Sequence, residues 1–269
     1  MYKAPQRKEI GMPKKPEERK TSSGTSGFVF LPAVLGIILA VVAALLAMGA
    51  GLGSSANWWN FRTGFTILRW AAYLAVAAGL VSLSGVVTAL FRGGKTAFLL
   101  SIAGLILALA VVGTAGSWWA TAKRVPVIHD ISTDTDNPPS FVVIPSIRRN
   151  AQNSLEYGGP EIARLQHTFY PDIGPLVLAV PMDKAFEDAI GSARLMGWQI
   201  ISADKKQRRI EAVATTRWFH FKDDIVVKVS ESDGQSRIDV RSVSRVGKSD
   251  IGTNARRIRA YLKILREIK

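Results

Sequence analysis

A turn-rich stretch near the middle of the chain holds residue types used in acid–base catalysis and metal binding. His129 and Asp130 are adjacent, and Asp134 follows four residues later. An imidazole beside carboxylates can act as an acid–base pair or hold a metal ion. The other two histidines, His167 and His220, do not stand at a ligand spacing, and the chain has no cysteine. One hypothesis is therefore a hydrolase or transferase that uses His129, Asp130 and Asp134.

A second candidate site is a polar, arginine-rich cluster where a predicted strand ends and a predicted helix begins. Arginine forks and the N–H groups of a helix N-terminus both favour anions. The residues predicted to bind an anion or a partner are Arg241, Ser244, Arg245, Asp250, Asn254, Arg256 and Arg257. Alternatively, acidic residues on neighbouring strands pair with these arginines and tie the helix to the sheet. Those acidic residues are Glu211, Asp223, Asp224 and Asp239.

Both candidate sites belong to residues 120–269, whose pattern predicts an α+β domain. A short strand at Leu176–Val180 precedes a helix that opens at Pro181 and stops at Gly197. Apolar and polar residues then alternate with period two, which predicts strands, and a 4-3-4-3 apolar stripe from Ile251 predicts a last helix. The predicted strands are Trp198–Ala203, Arg208–Thr216, Asp224–Ser230 and Arg237–Arg245. We expect an antiparallel sheet with helices on one face.

Three apolar runs precede this domain, and each is long enough to cross a membrane. The runs are Phe28–Ala50, Ala71–Phe91 and Ala97–Ser117, and none of them contains Asp, Glu, Lys or Arg. About 20 apolar residues span a hydrocarbon core about 30 Å thick. Small residues recur at four-residue spacing, which favours close helix packing. The sequence therefore predicts a bundle of three transmembrane helices over residues 28–119, with Arg69 as an interfacial anchor.

Basic residues are distributed unevenly around these runs. Residues 1–27, predicted to form a disordered tail, carry seven basic residues, and the short loop after the second run adds Arg92 and Lys95. The loop of residues 51–66 has only Arg62. The positive-inside rule then predicts a cytoplasmic N-terminus and a periplasmic C-terminal domain at a bacterial inner membrane. Trp58-Trp59 and Trp118-Trp119 fall at the domain end, as an interfacial aromatic belt does.

The net charge of +14 does not indicate nucleic acid as a partner. More than half of the excess lies in the tail and beside the apolar runs, where cations orient helices and contact anionic lipid. No acidic residue or histidine lies inside a predicted span. Transporters and proton pumps usually carry one there, so transport is not expected.

Four segments of the C-terminal domain resemble a known family. They are residues 128–134, residues 137–141, residues 170–172 and the long run from Arg241 to Arg259. Together they are similar to the bacterial and plastid family called domain of unknown function 1499, over about residues 126–267. The resemblance implies a small module of the cell envelope or thylakoid, and it brings no catalytic residue with it.

These features favour a membrane-anchored extracytoplasmic binding or scaffolding module of the cell envelope. We expect no enzymatic activity, no cofactor and no metal. The expected partners are membrane lipid and, at the arginine cluster, a lipid head group, an anionic polymer or an envelope protein. The alternative is an envelope hydrolase or transferase that uses the loop of His129, Asp130 and Asp134.

Overall fold

The anchor consists of three long helices. The computed structural model describes the backbone of residues 23–268 and the side chains of residues 28–268. The anchor helices are α1 (Ser23–Ser55), α2 (Phe61–Arg92) and α3 (Lys95–Arg124). Each contains a segment long and apolar enough to cross a membrane, so the three predicted helices are confirmed and fit a membrane-associated protein. Most of the predicted disordered tail, residues 1–22, lies outside the described residues.

Glycine and serine bring the three helices into close contact in the half of the bundle that is farther from the domain. A Cβ atom added to Gly36 or Gly104 would lie 2.5 or 2.6 Å from the Oγ atom of Ser82. One added to Gly85 would overlap the Oγ atom of Ser101. Only glycine allows the backbones to approach this closely, as in other membrane helix bundles.

The C-terminal domain combines six strands with four helices. Its strands are β1 (Asp130–Ser132), β2 (Leu176–Leu178), β3 (Gln199–Asp204), β4 (Arg209–Thr215), β5 (Lys222–Ser232) and β6 (Gln235–Ser244). Its helices are α4 (Ile144–Ile147), α5 (Gly159–Phe169), α6 (Met182–Leu195) and α7 (Thr253–Glu267). The predicted α+β class is therefore confirmed. The sequence analysis anticipated neither β1 nor the helices α4 and α5.

All six strands form one antiparallel sheet, in which five strands follow the order β1-β6-β5-β4-β3 and β2 pairs with β6 outside that order. The two short strands β1 and β2 both pair with β6, where Ile131 lies opposite Ser242 and Leu176 opposite Ile238. The turn between β5 and β6 has positive φ at Asp233 and Gly234, as the predicted hairpin requires. Because β6 lies inside the sheet, residues on it and just beyond it contact several other elements.

Helices α6 and α7 pack on one face of the sheet and bury their apolar stripes there. Tyr261 of α7 is completely buried, and its hydroxyl donates a hydrogen bond of 2.9 Å to the carbonyl oxygen of Ala189 on α6. Its ring stacks on Trp198 at a centroid distance of 4.7 Å. The buried residues of the predicted helix stripes include Ala185, Phe186, Ala189, Ala193, Ala255, Ile258, Leu262 and Leu265. These contacts hold the start of α7 against the end of β6.

The opposite face of the sheet is polar, but the segment of residues 133–158 covers it. The Glu211 carboxylate accepts the backbone N–H groups of Val142, Val143 and Ile144 at 2.7–3.1 Å. Arg241 donates to the carbonyl oxygen of Leu155 at 2.7 Å. Polar side chains on this face are therefore buried, and each needs partners within the protein.

Candidate functional site

Arg241 is buried in an ion pair with Asp130, a residue of the other candidate site. Its Nε and Nη2 atoms contact the two carboxylate oxygens of Asp130 at 3.0 and 2.7 Å. The rings of Phe141 and Tyr157 lie 5.5 and 5.4 Å from its guanidinium carbon. Burial raises the pKa of the Tyr157 hydroxyl to about 12. The Arg241 guanidinium and the Asp130 carboxylate therefore both bind groups of the protein itself.

Arg245 and Arg257 also contact buried carboxylates. Arg245 and Arg148 share the completely buried Asp224, at 2.7 and 2.6 Å. Arg257 binds Asp223 on the helix side of the sheet. Three of the four predicted anion-binding arginines thus pair with acids and tie strands, loop and helix together. Asp223 and Asp224 are partners that the structural alternative named, whereas Asp130 is not.

Ser244, Asn254 and Asp250 organise the start of α7. The side-chain Nδ2 atom of Asn254 donates to the Ser244 hydroxyl at 3.0 Å. The Asp250 carboxylate accepts the backbone N–H groups of Gly252 and Asn254 at 2.8 and 2.7 Å, an N-capping arrangement. Burial raises the pKa of Asp250 above its ordinary value, the Asp223 carboxylate adds to the rise, and the two N–H donors oppose it.

Arg256 differs from the other arginines of the cluster because it is exposed. Its guanidinium donates to the carbonyl oxygen of Ile251 and to the hydroxyl of Thr253, both at 3.1 Å. Within residues 28–268, no carboxylate lies within 4.0 Å of its charged nitrogens. This guanidinium therefore carries positive charge that can meet a ligand.

The residues of the predicted hydrolase loop make separate contacts. The His129 Nδ1 atom lies 3.4 Å from the carbonyl oxygen of Lys248, which is long for a hydrogen bond. Asp130 is bound by Arg241, and Asp134 pairs with Arg237 at 2.8 Å. In the described part of the chain, no three His, Asp or Glu side chains are grouped so as to hold a metal ion. This arrangement does not favour the hydrolase alternative.

The turn between β4 and β5 contacts the membrane anchor, and the sequence analysis did not anticipate it. We call residues 216–221, which contain Trp218, Phe219, His220 and Phe221 in succession, the aromatic loop. Ring centroids lie 4.9 Å apart for Trp118 and Trp218 and 5.0 Å apart for Phe65 and Phe219. A run of aromatic residues in a turn between two predicted strands was the available sequence signal, because such side chains favour membrane interfaces.

A cavity of about 510 Å³ lies where the aromatic loop meets the anchor, and we call it the interface cavity. One wall is aromatic and consists of Phe61, Phe65, Trp118, Trp218, Phe219 and Phe221. The other wall is polar and includes Arg217, Asp223, Ser244, Asp250, Thr253 and Arg256. The cavity therefore brings together four residues of the predicted arginine-rich site: Ser244, Asp250 and Arg256 line it, and Asn254 adjoins it through Asp250.

A second cavity, of about 540 Å³, lies between the anchor helices, and we call it the helix groove. Alanines from all three helices line it, namely Ala44, Ala47, Ala72, Ala110 and Ala115. Arg69 also lines it. Phe65, Trp118 and Trp218 line both this groove and the interface cavity, so the two spaces adjoin.

Fold and site define a class: a helical membrane anchor carrying an α+β domain whose polar residues are largely paired internally, with an amphipathic cavity at the junction. A family model described as "Protein of unknown function (DUF1499)" matches residues 130–265. The chain belongs to this family, and the match runs from β1 into α7 without the anchor. The curated proteins compared with the chain gave no match.

Proposed function

We propose that this chain is a membrane-anchored binding module that holds an anionic amphiphile in the interface cavity and performs no chemistry on it. The observation that supports this function is the composition of the cavity: an aromatic wall continuous with the anchor faces a polar wall that contains Arg256. A ligand with one apolar and one charged end matches both walls. Ligand sites of 300–1,000 Å³ are typically apolar with a few placed polar groups, and this cavity fits that description.

Two acids and two arginines line the cavity, but Asp223 is paired with Arg257 and Asp250 accepts backbone N–H groups, so the guanidinium groups of Arg217 and Arg256 are the charges open to an anion. Arg217 and Arg256 are exposed there, whereas Arg245 and Arg257 are already paired with acids. The Asp250 carboxylate accepts backbone N–H groups at the start of α7, so these groups are not open to a ligand. The positive charge at the cavity therefore comes from side chains. Guanidinium groups bind phosphate and carboxylate through paired N–H donors.

We further propose that the domain faces the periplasm of a bacterial inner membrane. The aromatic loop contacts Phe65 and Trp118, at the end of the anchor opposite the loop of Arg92 and Lys95. That loop and the basic tail are expected to stay in the cytoplasm by the positive-inside rule. The ligand would then come from the outer leaflet of that membrane.

Lipid binding by the purified full-length chain in nanodiscs tests the proposal. Native mass spectrometry would compare retention of phosphatidylglycerol with that of phosphatidylcholine, for the wild type and for Arg256→Glu. Arg266→Glu is the matched control, because Arg266 is an exposed arginine near the other end of α7. We expect preferential retention of phosphatidylglycerol that Arg256→Glu lowers about tenfold, which corresponds to about 1.4 kcal/mol, and that the control leaves unchanged. Equal retention of both lipids by the wild type would reject the function.

A further inference from the structure

The helix groove lies between the halves of the anchor helices that are nearer the domain. In the far half, glycines such as Gly104 pack directly against Ser82. In the near half, α1 and α2 stay close, since a Cβ atom added to Gly64 would lie 2.7 Å from the carbonyl oxygen of Ala50, and the groove lies between these two helices and α3. Alanine side chains line the opening and are too small to fill it.

The surroundings of the helix groove indicate what fills it. Its walls belong to helices that are apolar enough to cross a membrane, so the adjoining medium is lipid rather than water. An unfilled apolar space loses dispersion contacts on its lining atoms. An acyl chain provides those contacts without burying a polar group.

Arg69 adds a charge to this apolar groove. It is the ninth residue of α2, so it lies about 12 Å along the helix from the end next to the domain. It is exposed, and it belongs to none of the ion pairs formed among residues 28–268. A guanidinium within a membrane helix favours an anionic partner near the interface. The phosphate of a lipid is such an anion.

The groove and the interface cavity can hold two parts of one molecule. Trp218, Trp118 and Phe65 line both spaces. We therefore propose, on the basis of the function proposed above, that the ligand is an anionic phospholipid. Its acyl chain lies in the helix groove, its phosphate contacts Arg69, and the rest of its head group enters the interface cavity toward Arg256.

The test fills the groove and removes its charge. Ala72→Leu combined with Ala115→Leu occupies the space, and Ala77→Leu is the control because Ala77 is exposed on α2 and does not line the groove. Arg69→Gln removes the charge, and Arg62→Gln is its control, because Arg62 is an exposed arginine two helical turns away that does not line the groove. We expect phosphatidylglycerol retention in the same nanodisc assay to fall about tenfold in both groove variants and to stay unchanged in both controls.

A photoreactive phosphatidylglycerol provides a second readout on the wild-type protein, which does not depend on the folding of a variant. With a diazirine in the part of its acyl chain that is close to the ester, it should crosslink to residues 110–115 of α3. Crosslinks spread evenly over the lipid-facing side chains would overturn the groove assignment.

The outcomes separate the two proposals. Loss of binding in Arg256→Glu and in the groove variants supports both. If only Arg256→Glu loses lipid binding, the proposed function stands, but the placement of the acyl chain in the helix groove and of the phosphate at Arg69 is wrong. If only the groove variants lose lipid binding, the interface cavity is not the head-group site. The proposal that one lipid occupies both spaces is then wrong.

Discussion

The indole Nε1 atom of Trp218 donates a hydrogen bond of 3.2 Å to the backbone carbonyl oxygen of Met48 in the first anchor helix. This bond joins residues 170 positions apart in the chain, and it crosses from the domain to the membrane anchor. A Cβ atom added to Gly51 would overlap the same indole, so glycine one turn along α1 leaves room for the ring. The domain is thus attached to its anchor by packing as well as by the chain connection after α3.

Replacing Trp218 by alanine should loosen the domain from the anchor. The substitution removes the bond to Met48 and the ring contacts with Trp118 and Phe219, which lie 4.9 and 5.2 Å away. Each aromatic pair contributes about 0.5–1.5 kcal/mol beyond area burial. We expect the distribution of distances between spin labels on the anchor and on the domain, measured by electron paramagnetic resonance, to become broader.

Trp58→Ala is the matched control for that experiment. Trp58 lies at the same end of the anchor but is 77% exposed, and its ring contact is with Trp59. An unchanged distance distribution in Trp218→Ala would show that Trp218 is not needed to orient the domain on its anchor.

The buried pair of Asp130 and Arg241 should be far more sensitive to substitution than an exposed pair. Removing one partner of a buried ion pair leaves an uncompensated charge and costs about 3–5 kcal/mol. Asp130→Asn should therefore lower the free energy of unfolding strongly, measured by urea denaturation of the chain in detergent. The control is Asp172→Asn, whose partner Arg259 lies 2.6 Å away at the surface and where about 0–1 kcal/mol is expected. Similar losses in the two variants would contradict the structural role of Asp130.

Most helices and strands could be predicted because their signals are local. Apolar length defined the three anchor helices, and period-two alternation defined β3 to β6. The short strand β1 has three residues and owes its place to pairing with β6, a contact over more than 100 positions that no local pattern carries. Helix α4 has only four residues, and its start depends on Glu211, 67 positions away.

The candidate site was only partly predictable for the same reason. The alternation of Glu211, Asp239 and Arg241 correctly indicated a polar face of the sheet, but not the segment of residues 133–158 that buries it. Once the face is buried, acids and arginines must pair, so Arg241 contacts Asp130 instead of a ligand. Arg256 remained exposed because it lies on the outer side of α7. The role of Trp218 depends on where the domain meets the anchor.

A larger residue at Gly104 should destabilise the anchor, because the three helices are closely packed there. A larger residue there would force Ser82 and the α1 backbone near Ile37 apart, since even a Cβ atom would lie 2.6 Å from Ser82 Oγ and 3.1 Å from the Ile37 backbone. Gly104→Leu should therefore lower the melting temperature in detergent by several degrees, because overpacking costs about 1–3 kcal/mol. Gly113→Leu is the control, with nothing within 4 Å of an added Cβ atom. Equal melting temperatures for both variants would contradict this packing.

The proposed orientation predicts the activity of reporter fusions. Alkaline phosphatase fused after α7 should be active, because it requires an oxidising compartment for its disulfides. The same enzyme fused within the loop of Arg92 and Lys95 should be inactive, since the positive-inside rule keeps that loop in the cytoplasm. The opposite pattern would move the domain to the cytoplasm and its ligand to the inner leaflet.

Asp250 should make the stability of the protein depend on pH in a direction opposite to that of Asp172. Burial raises the pKa of Asp250 in the folded state, so near that pKa the folded protein binds a proton that the unfolded chain has released. The stabilising contribution of Asp250 is complete at pH values below the ordinary aspartate pKa of 3.8, and it is lost as pH rises through the folded-state pKa. Arg259 lowers the pKa of Asp172, so that contribution is present above the ordinary pKa and is lost as pH falls.

Melting curves of Asp250→Asn and Asp172→Asn across pH 3–8 test these signs. Asparagine keeps one oxygen for the N-cap of α7 and loses the other, which gives a destabilisation that is constant with pH. Relative to the wild type, Asp250→Asn should become more stable as pH rises, whereas Asp172→Asn should become less stable. Asp223, which raises the pKa of Asp250, and Arg257, which lowers it, remain in both variants. A difference curve for Asp250→Asn that is flat over this range would mean that its carboxylate is ionised equally in the folded and unfolded states.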